Sequence, residues 1–163
     1  MAGLEDLYRE IILDHYRSPR NRGELPVPPA HKVEGFNPLC GDEVVLYVDV
    51  DSDTGTVRDV KIAGQGCSIS QASTSMMSAA VKGKTLEEAQ QLIRAFKALM
   101  SIHESKLEGE SDGSDLQADL EGVRLGDLEA LQGVVKFPVR IKCATLAWNT
   151  LQQALDESNA DSV

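Results

Sequence analysis

Three thiols and one carboxylate hold most of the chemistry this sequence offers: Cys40 and Asp42 in the stretch Phe36-Asn37-Pro38-Leu39-Cys40-Gly41-Asp42-Glu43, then Cys67, then Cys143. In an extended chain residues i and i+2 project to one face, so Cys40 and Asp42 can reach one ion, with Gly41 supplying backbone freedom between them. Cys67 stands between an expected strand and an expected helix start, where the helix dipole and free amides favour a thiolate. Cys143 falls within two turns of the start of the last helix. If these segments converge, three thiolates and one carboxylate form a tetrahedral set suited to Zn2+, with bonds of about 2.3 Å to sulfur and about 2.0–2.2 Å to oxygen. Spacing alone leaves the first stretch open as a metal site, a reactive thiol or a turn. The paired Cys-x-x-Cys of a zinc finger is absent, and three buried core cysteines are the alternative for the whole set. Position favours the metal: each cysteine stands at the boundary of an element and not within an apolar stripe.

The elements that must position these groups follow from periodicity. Leu4, Leu7, Tyr8, Ile11, Ile12 and His15 recur at three- and four-residue steps with Arg17 late, which predicts an amphipathic helix over 4–17 that stops at Ser18-Pro19. A loop rich in Pro and Gly follows, through Pro26, Pro28, Pro29 and Gly35, where nothing regular is required. Val44, Leu46, Val48 and Val50 alternate with Val45, Tyr47 and Asp49; Asp51 to Gly55 supply a turn; Val57, Val60 and Ile62 complete a hairpin. Ser68 with Gln71 reads as a capping box opening a helix to about Val81, and Thr85 with Glu88 as the capping box of the next, continued by Leu86, Ala89, Leu92, Ile93, Phe96 and Leu99. Gly83-Lys84-Thr85 is no phosphate loop, because Ser78 occupies the position of its first glycine, and Gly64-Gln65-Gly66 lacks the third glycine of a dinucleotide fingerprint. Residues 104–121 are acidic, Ser- and Gly-rich and poor in apolar groups, which predicts a mobile insert. Leu125, Leu128, Leu131 and Val134 suggest a short helix, and Phe137-Pro138 opens a last one through Ala144, Ala147, Trp148, Leu151 and Leu155.

At 163 residues, 42% hydrophobic and 26% charged, the chain suits one domain with a proper core. A formal charge of −10 argues against a nucleic-acid surface, which needs clustered Lys and Arg, and leaves a basic protein partner open. The opening MAGLEDLYRE has no apolar run, and no segment approaches the ~20 apolar residues of a membrane helix, so no membrane role and a cytoplasmic location are expected. In that reducing compartment three widely spaced cysteines read as free thiols. His15, in the apolar stripe of the first helix, reads as a packed, hydrogen-bonded residue. His31 falls in the proline loop and His103 near the insert; Trp148 and the Met76-Met77 pair read as core.

Four stretches in order, Ile11-Ile12-Leu13-Asp14-His15-Tyr16-Arg17-Ser18-Pro19-Arg20-Asn21-Arg22-Gly23, Asn37 to Asp42, Gly64 to Ser73, and Arg140-Ile141-Lys142-Cys143-Ala144-Thr145-Leu146-Ala147-Trp148, together resemble the IscU/SufU family and span nearly the whole chain. IscU-type scaffolds carry a His immediately before their third cysteine, where this chain has Lys142, and they lack the long insert between the second and third cysteines. Both features resemble the SufU branch, the zinc-dependent sulfur-transfer proteins.

The resemblance implies an α+β fold in which a small antiparallel sheet of three strands packs against several helices; the hairpin supplies two strands, and the third must lie in or near residues 30–38. It implies a Zn2+ site on Cys40, Asp42, Cys67 and Cys143. It further implies that Cys40 accepts persulfide sulfur from a cysteine desulfurase of the SufS type, stimulating that enzyme, once a histidine of the desulfurase has taken the place of Cys40 on the metal. A downstream SUF cluster-assembly scaffold would receive the sulfur. Arg140, one turn before Cys143, is expected to pair with Asp42 or to steady the transferred persulfide. Two alternatives stand beside this: a scaffold binding a 2Fe–2S cluster on the same ligands, and a structural zinc module that binds and activates a partner.

Overall fold

In the computed structural model the described residues are 4–27, 30–38, 41–51, 53–108, 128, 130–131 and 138–161; the side chains of 4–8, 101–108, 138–139 and 158–161 are outside the description. Among the described residues the main elements follow in the order α1 (Leu4–Arg17), β1 (His31–Asn37), β2 (Asp42–Asp51), β3 (Thr56–Gln65), α2 (Ser68–Val81), α3 (Leu86–Glu108) and α4 (Pro138–Asp161). The expected α+β architecture with three antiparallel strands is present, in the order β1-β2-β3.

Alternation along the strands decides which face is covered. Val33, Val44, Leu46, Val48, Val60 and Ile62 are buried, while Lys32, Glu34 and Phe36 between them on β1 are exposed. α4 packs on β1 and β2 and α2 on β3, α1 lies along α2, and α3 adds to α4. The period-two pattern fails at Val50, which is only partly buried, because the β2–β3 register slips between Asp49 and Val50. Where the helices meet, Trp148 stacks on Phe96 with ring centroids 4.6 Å apart. Trp148 donates through Nε1 to Ser73 Oγ at 3.1 Å, and Ser73 donates to the Ala144 carbonyl at 2.6 Å, so a fully buried indole keeps its polar end satisfied.

Several expectations are corrected. The irregular stretch ends by Ala30: His31 begins β1, and Gly35 is a mid-strand residue on which a Cβ would strike Thr150 Oγ1, so a glycine here lets α4 lie close against the strand. Arg22 also bridges to Ile62, so the loop adds a short parallel pairing along the free edge of β3. α3 continues to Glu108, which makes 104–108 helical backbone and moves the start of the predicted insert; its remainder, 109–121, lies outside the described residues. Of the short helix expected near 125–134, Leu128, Ala130 and Leu131 are described, in a tight helical turn, and all three are buried.

His15 is packed as expected, only 3% exposed, with Nδ1 2.9 Å from Ser75 Oγ. The Thr85–Glu88 capping box is formed in both directions, Glu88 N to Thr85 Oγ1 at 3.1 Å and Thr85 N to Glu88 Oε1 at 3.3 Å. Thr85→Ala should therefore cost about 1 kcal/mol, seen as a melting temperature lower by about 2–4 °C; an unchanged melt would mean the cap adds nothing beyond the packing of α3.

Candidate metal centre

Asp42 opens β2 opposite Asn37, on the inward face, and is fully buried. The Cys67 amide donates to Asp42 Oδ1 at 2.8 Å, leaving Oδ2 3.7 Å from Cys67 Sγ. That contact requires β3 to end hard against the start of β2. Gly64, at φ +111, brings its α-carbon to the Glu43 carbonyl, where a side chain would collide, and a Cβ on Gly66 would sit 2.5 Å from Asp42 Oδ1 and 3.1 Å from its Cα. The Gly64-Gln65-Gly66 stretch, which in sequence fails as a dinucleotide motif and belongs to the family resemblance, is thus what seats the carboxylate.

Cys67 is the N-cap of α2, with extended φ −69 and ψ 166, and its sulfur accepts from the Ser70 amide at 3.4 Å. This corrects the expected Ser68–Gln71 capping box: Ser68 is already the first helical residue, and the thiol one position earlier does the capping. A sulfur in that place faces the free amides of the first turn of α2.

Cys143 lies in the second turn of α4, fully buried. Ligand atoms of Asp42, Cys67 and Cys143 all lie within 4.8 Å of one another. Two donors sharing one ion at about 2.3 Å can be no more than about 4.6 Å apart. The set therefore fits a single cation with little rearrangement. Two thiols and a buried carboxylate this close would repel one another if all were ionised, and a shared cation relieves that repulsion.

Arg140 is exposed and leans over the pair. A hydrogen bond with Cys143, and then the charges of Cys67 and Cys143, hold its guanidinium above its ordinary pKa. Among the described residues its partners are the two thiols and not Asp42. Cys40 lies outside the described residues. The residues bracketing it are fixed: Asn37 pairs with Asp42, and Gly41, at φ +69 with open space where a side chain would stand, donates to the Asn37 carbonyl at 2.9 Å. Cys40 thus belongs to the β1–β2 connection, whose far end delivers Asp42. Ser70 and Gly66 are the site residues that sequence reasoning missed. A Gly-x-Gly immediately before a cysteine was the available signal for the second.

No described helix is long and apolar enough to cross a membrane. Residues 7–119 match the family model for the NifU-like N terminal domain, a span that takes in the first two cysteines. The zinc-dependent sulfurtransferase SufU of Bacillus subtilis is 44% identical over 154 residues, covering 94% of this chain and 92% of its own. The iron–sulfur cluster assembly scaffold protein IscU of Streptococcus pyogenes is 40% identical, over 97% of this chain and 88% of its own. Among solved structures, a putative iron–sulfur cluster assembly scaffold protein for the SUF system from Fervidobacterium islandicum superposes with a TM-score of 0.71 at 35% identity, covering 94% of this chain and 99% of that one. A match of this length to the domain model, together with relatives this similar over nearly their whole chains, makes this protein a member of the IscU/SufU family of iron–sulfur cluster assembly proteins, built on the NifU-like N-terminal domain.

Proposed function

We propose that this protein is a zinc-dependent sulfurtransferase that accepts persulfide sulfur from a cysteine desulfurase, stimulates that enzyme, and passes the sulfur on to iron–sulfur cluster assembly. It acts as an acceptor and carrier and not as a free-standing catalyst. The observation that carries the reading is the convergence of Asp42, Cys67 and Cys143 at the β1–β2 connection that holds Cys40. The name of the Bacillus subtilis relative supports the same activity.

Cys40, Asp42, Cys67 and Cys143 are the residues that would hold the zinc. When bound, Zn2+ keeps thiols deprotonated and lowers their nucleophilicity. The acceptor is Cys40. Cys67 is tied down as a helix cap and Cys143 is buried inside α4, whereas Cys40 occupies a short connection beside a glycine. Its thiolate attacks the outer sulfur of the desulfurase persulfide. A bond forms from Cys40 Sγ to that sulfur, the bond to the desulfurase cysteine breaks, and that cysteine leaves as a thiolate. Arg140 supplies a fixed positive charge beside the centre while negative charge moves through it.

Mass spectrometry after incubation with a SufS-type desulfurase and cysteine tests the reading. One added sulfur atom is expected on Cys40 and none on the Cys40→Ala protein. If Cys40 never gains sulfur, transfer is wrong and a structural zinc module that activates its partner takes its place. Iron–sulfur absorption in protein purified without added iron would instead favour a scaffold holding a 2Fe–2S cluster on these ligands, as the name of the Streptococcus relative suggests. Arg140→Ala should accept sulfur about tenfold more slowly, a modest effect because the guanidinium is solvent-exposed; undiminished acceptance would remove Arg140 from the mechanism.

A further inference from the structure

The buried face of α2 carries a run of hydroxyls, and all but one have an evident partner. Ser73 donates to the Ala144 carbonyl, Thr74 to the Ser70 carbonyl and Ser78 to the Ser75 carbonyl, while Ser75 Oγ accepts from the Arg20 amide and meets His15. Ser70 is the exception. It is fully buried, yet among the described residues its Oγ has no hydrogen-bond partner. Even the bond back to a carbonyl of the preceding turn, which Thr74 makes one turn later, is not formed. A buried hydroxyl left in this state costs a folded protein stability, so an unpaired one asks for an explanation.

Its position suggests one. Ser70 is the third residue of α2, and its own amide already donates to Cys67 Sγ at 3.4 Å. Ser73, three residues on and therefore on the same side of the helix, reaches the carbonyl of Ala144, the neighbour of Cys143. Ser70 thus stands at the end of the α2–α4 contact where Cys67 and Cys143 come together. A neutral thiol is a weak acceptor; a thiolate is a strong one.

We propose that Ser70 is a positioning residue of the metal centre, its hydroxyl held in reserve to donate a hydrogen bond to a cysteine thiolate of the loaded site. The inference rests on the metal-binding reading given above and adds an outer donor to it. A second hydrogen bond from the same residue draws charge off the sulfur, orients its lone pairs and makes the loaded state tighter than the ligands alone would make it. The metal-free protein bears the cost of the unpaired hydroxyl, and the loaded protein recovers it.

That division predicts effects of opposite sign in one variant. In the full chain, Ser70→Ala should bind zinc about 10- to 100-fold more weakly in competition with a chromophoric chelator. Its chelated form should melt at or above the temperature of the chelated wild type. With Co2+ in place of zinc, its thiolate-to-metal charge-transfer band should move to lower energy, and Ser70→Thr, which keeps the hydroxyl, should restore affinity and band position. A Ser70→Ala protein that matches the wild type in affinity and cobalt spectrum would overturn the proposal, and so would one whose chelated form is destabilised, since that marks a packing role. If the wild type itself takes up neither zinc nor cobalt, the metal reading falls and this inference with it.

Discussion

Gly66→Ala is expected to weaken zinc binding by roughly a hundredfold or more while leaving a folded protein. The added methyl group would stand 2.5 Å from Asp42 Oδ1 and 3.1 Å from both Cα and Cβ of the same residue. No flexible chain end can yield there, because the obstacle is a short carboxylate and its own backbone. Either the carboxylate leaves the centre, or β3 withdraws from β2 and takes the Cys67 amide, which holds Oδ1 at 2.8 Å, along with it. Both routes misplace a ligand, and losing an outer partner alone typically costs 10- to 100-fold in affinity. The penalty is steric, as the backbone at Gly66 is not in the left-handed region that would make any side chain unfavourable. Competition titration against a chelator, with circular dichroism to verify the fold, measures it. Wild-type affinity in a folded Gly66→Ala protein would mean that the close approach of residues 66 and 42 does not seat the carboxylate.

On the proposed metal-binding reading, removing the ion by chelation should have the second large effect. An ion present at a thousandfold excess over its dissociation constant stabilises the folded state by about 4 kcal/mol. For a chain of this size that amounts to roughly 8–16 °C in melting temperature. Chelation leaves Asp42 fully buried with a single backbone donor on Oδ1, between two thiols. Hydrogen exchange should accelerate first where the ligands sit: the start of β2, the first turn of α2 and the second turn of α4. A melting curve indifferent to chelator would remove the metal from the stability of this fold.

What could be read in advance divides along physical lines. Helices with an apolar stripe and a stop signal, such as α1 ending before Ser18-Pro19, show their limits in sequence because periodicity and proline act locally. The β2–β3 hairpin was legible for the same reason, but not the register slip at Asp49/Val50, which depends on the pairing of two strands and not on the pattern along either one. The alternation of β1 is hidden in sequence because its inward positions are Val33, Gly35 and Asn37 while Phe36 faces out, and its strand character shows in its pairing with β2 and its packing under α4. At the candidate site, Asp42, Cys67 and Cys143 were recognisable by residue type and boundary position, and the fold brings them together. The thiol cap at Cys67 was missed because hydroxyl and carboxylate caps are the usual signal. Gly66 and Ser70 matter through what they lie against in space, which no spacing along the chain reports.

The three converging ligands come from a strand start, a helix cap and the last helix, so the centre also reports on folding order. Asp42 and Cys67 are brought together by a local hairpin, the kind of contact that closes early. Cys143 joins only across the long intervening chain, when α4 docks on the sheet. A chain halted before α4 settles would present an incomplete ligand set with little hold on an ion. If the centre takes up an ion, retaining it would mark finished tertiary structure, and a partner that reads the loaded centre would, by the same contact, pass over molecules still on their way to the native state.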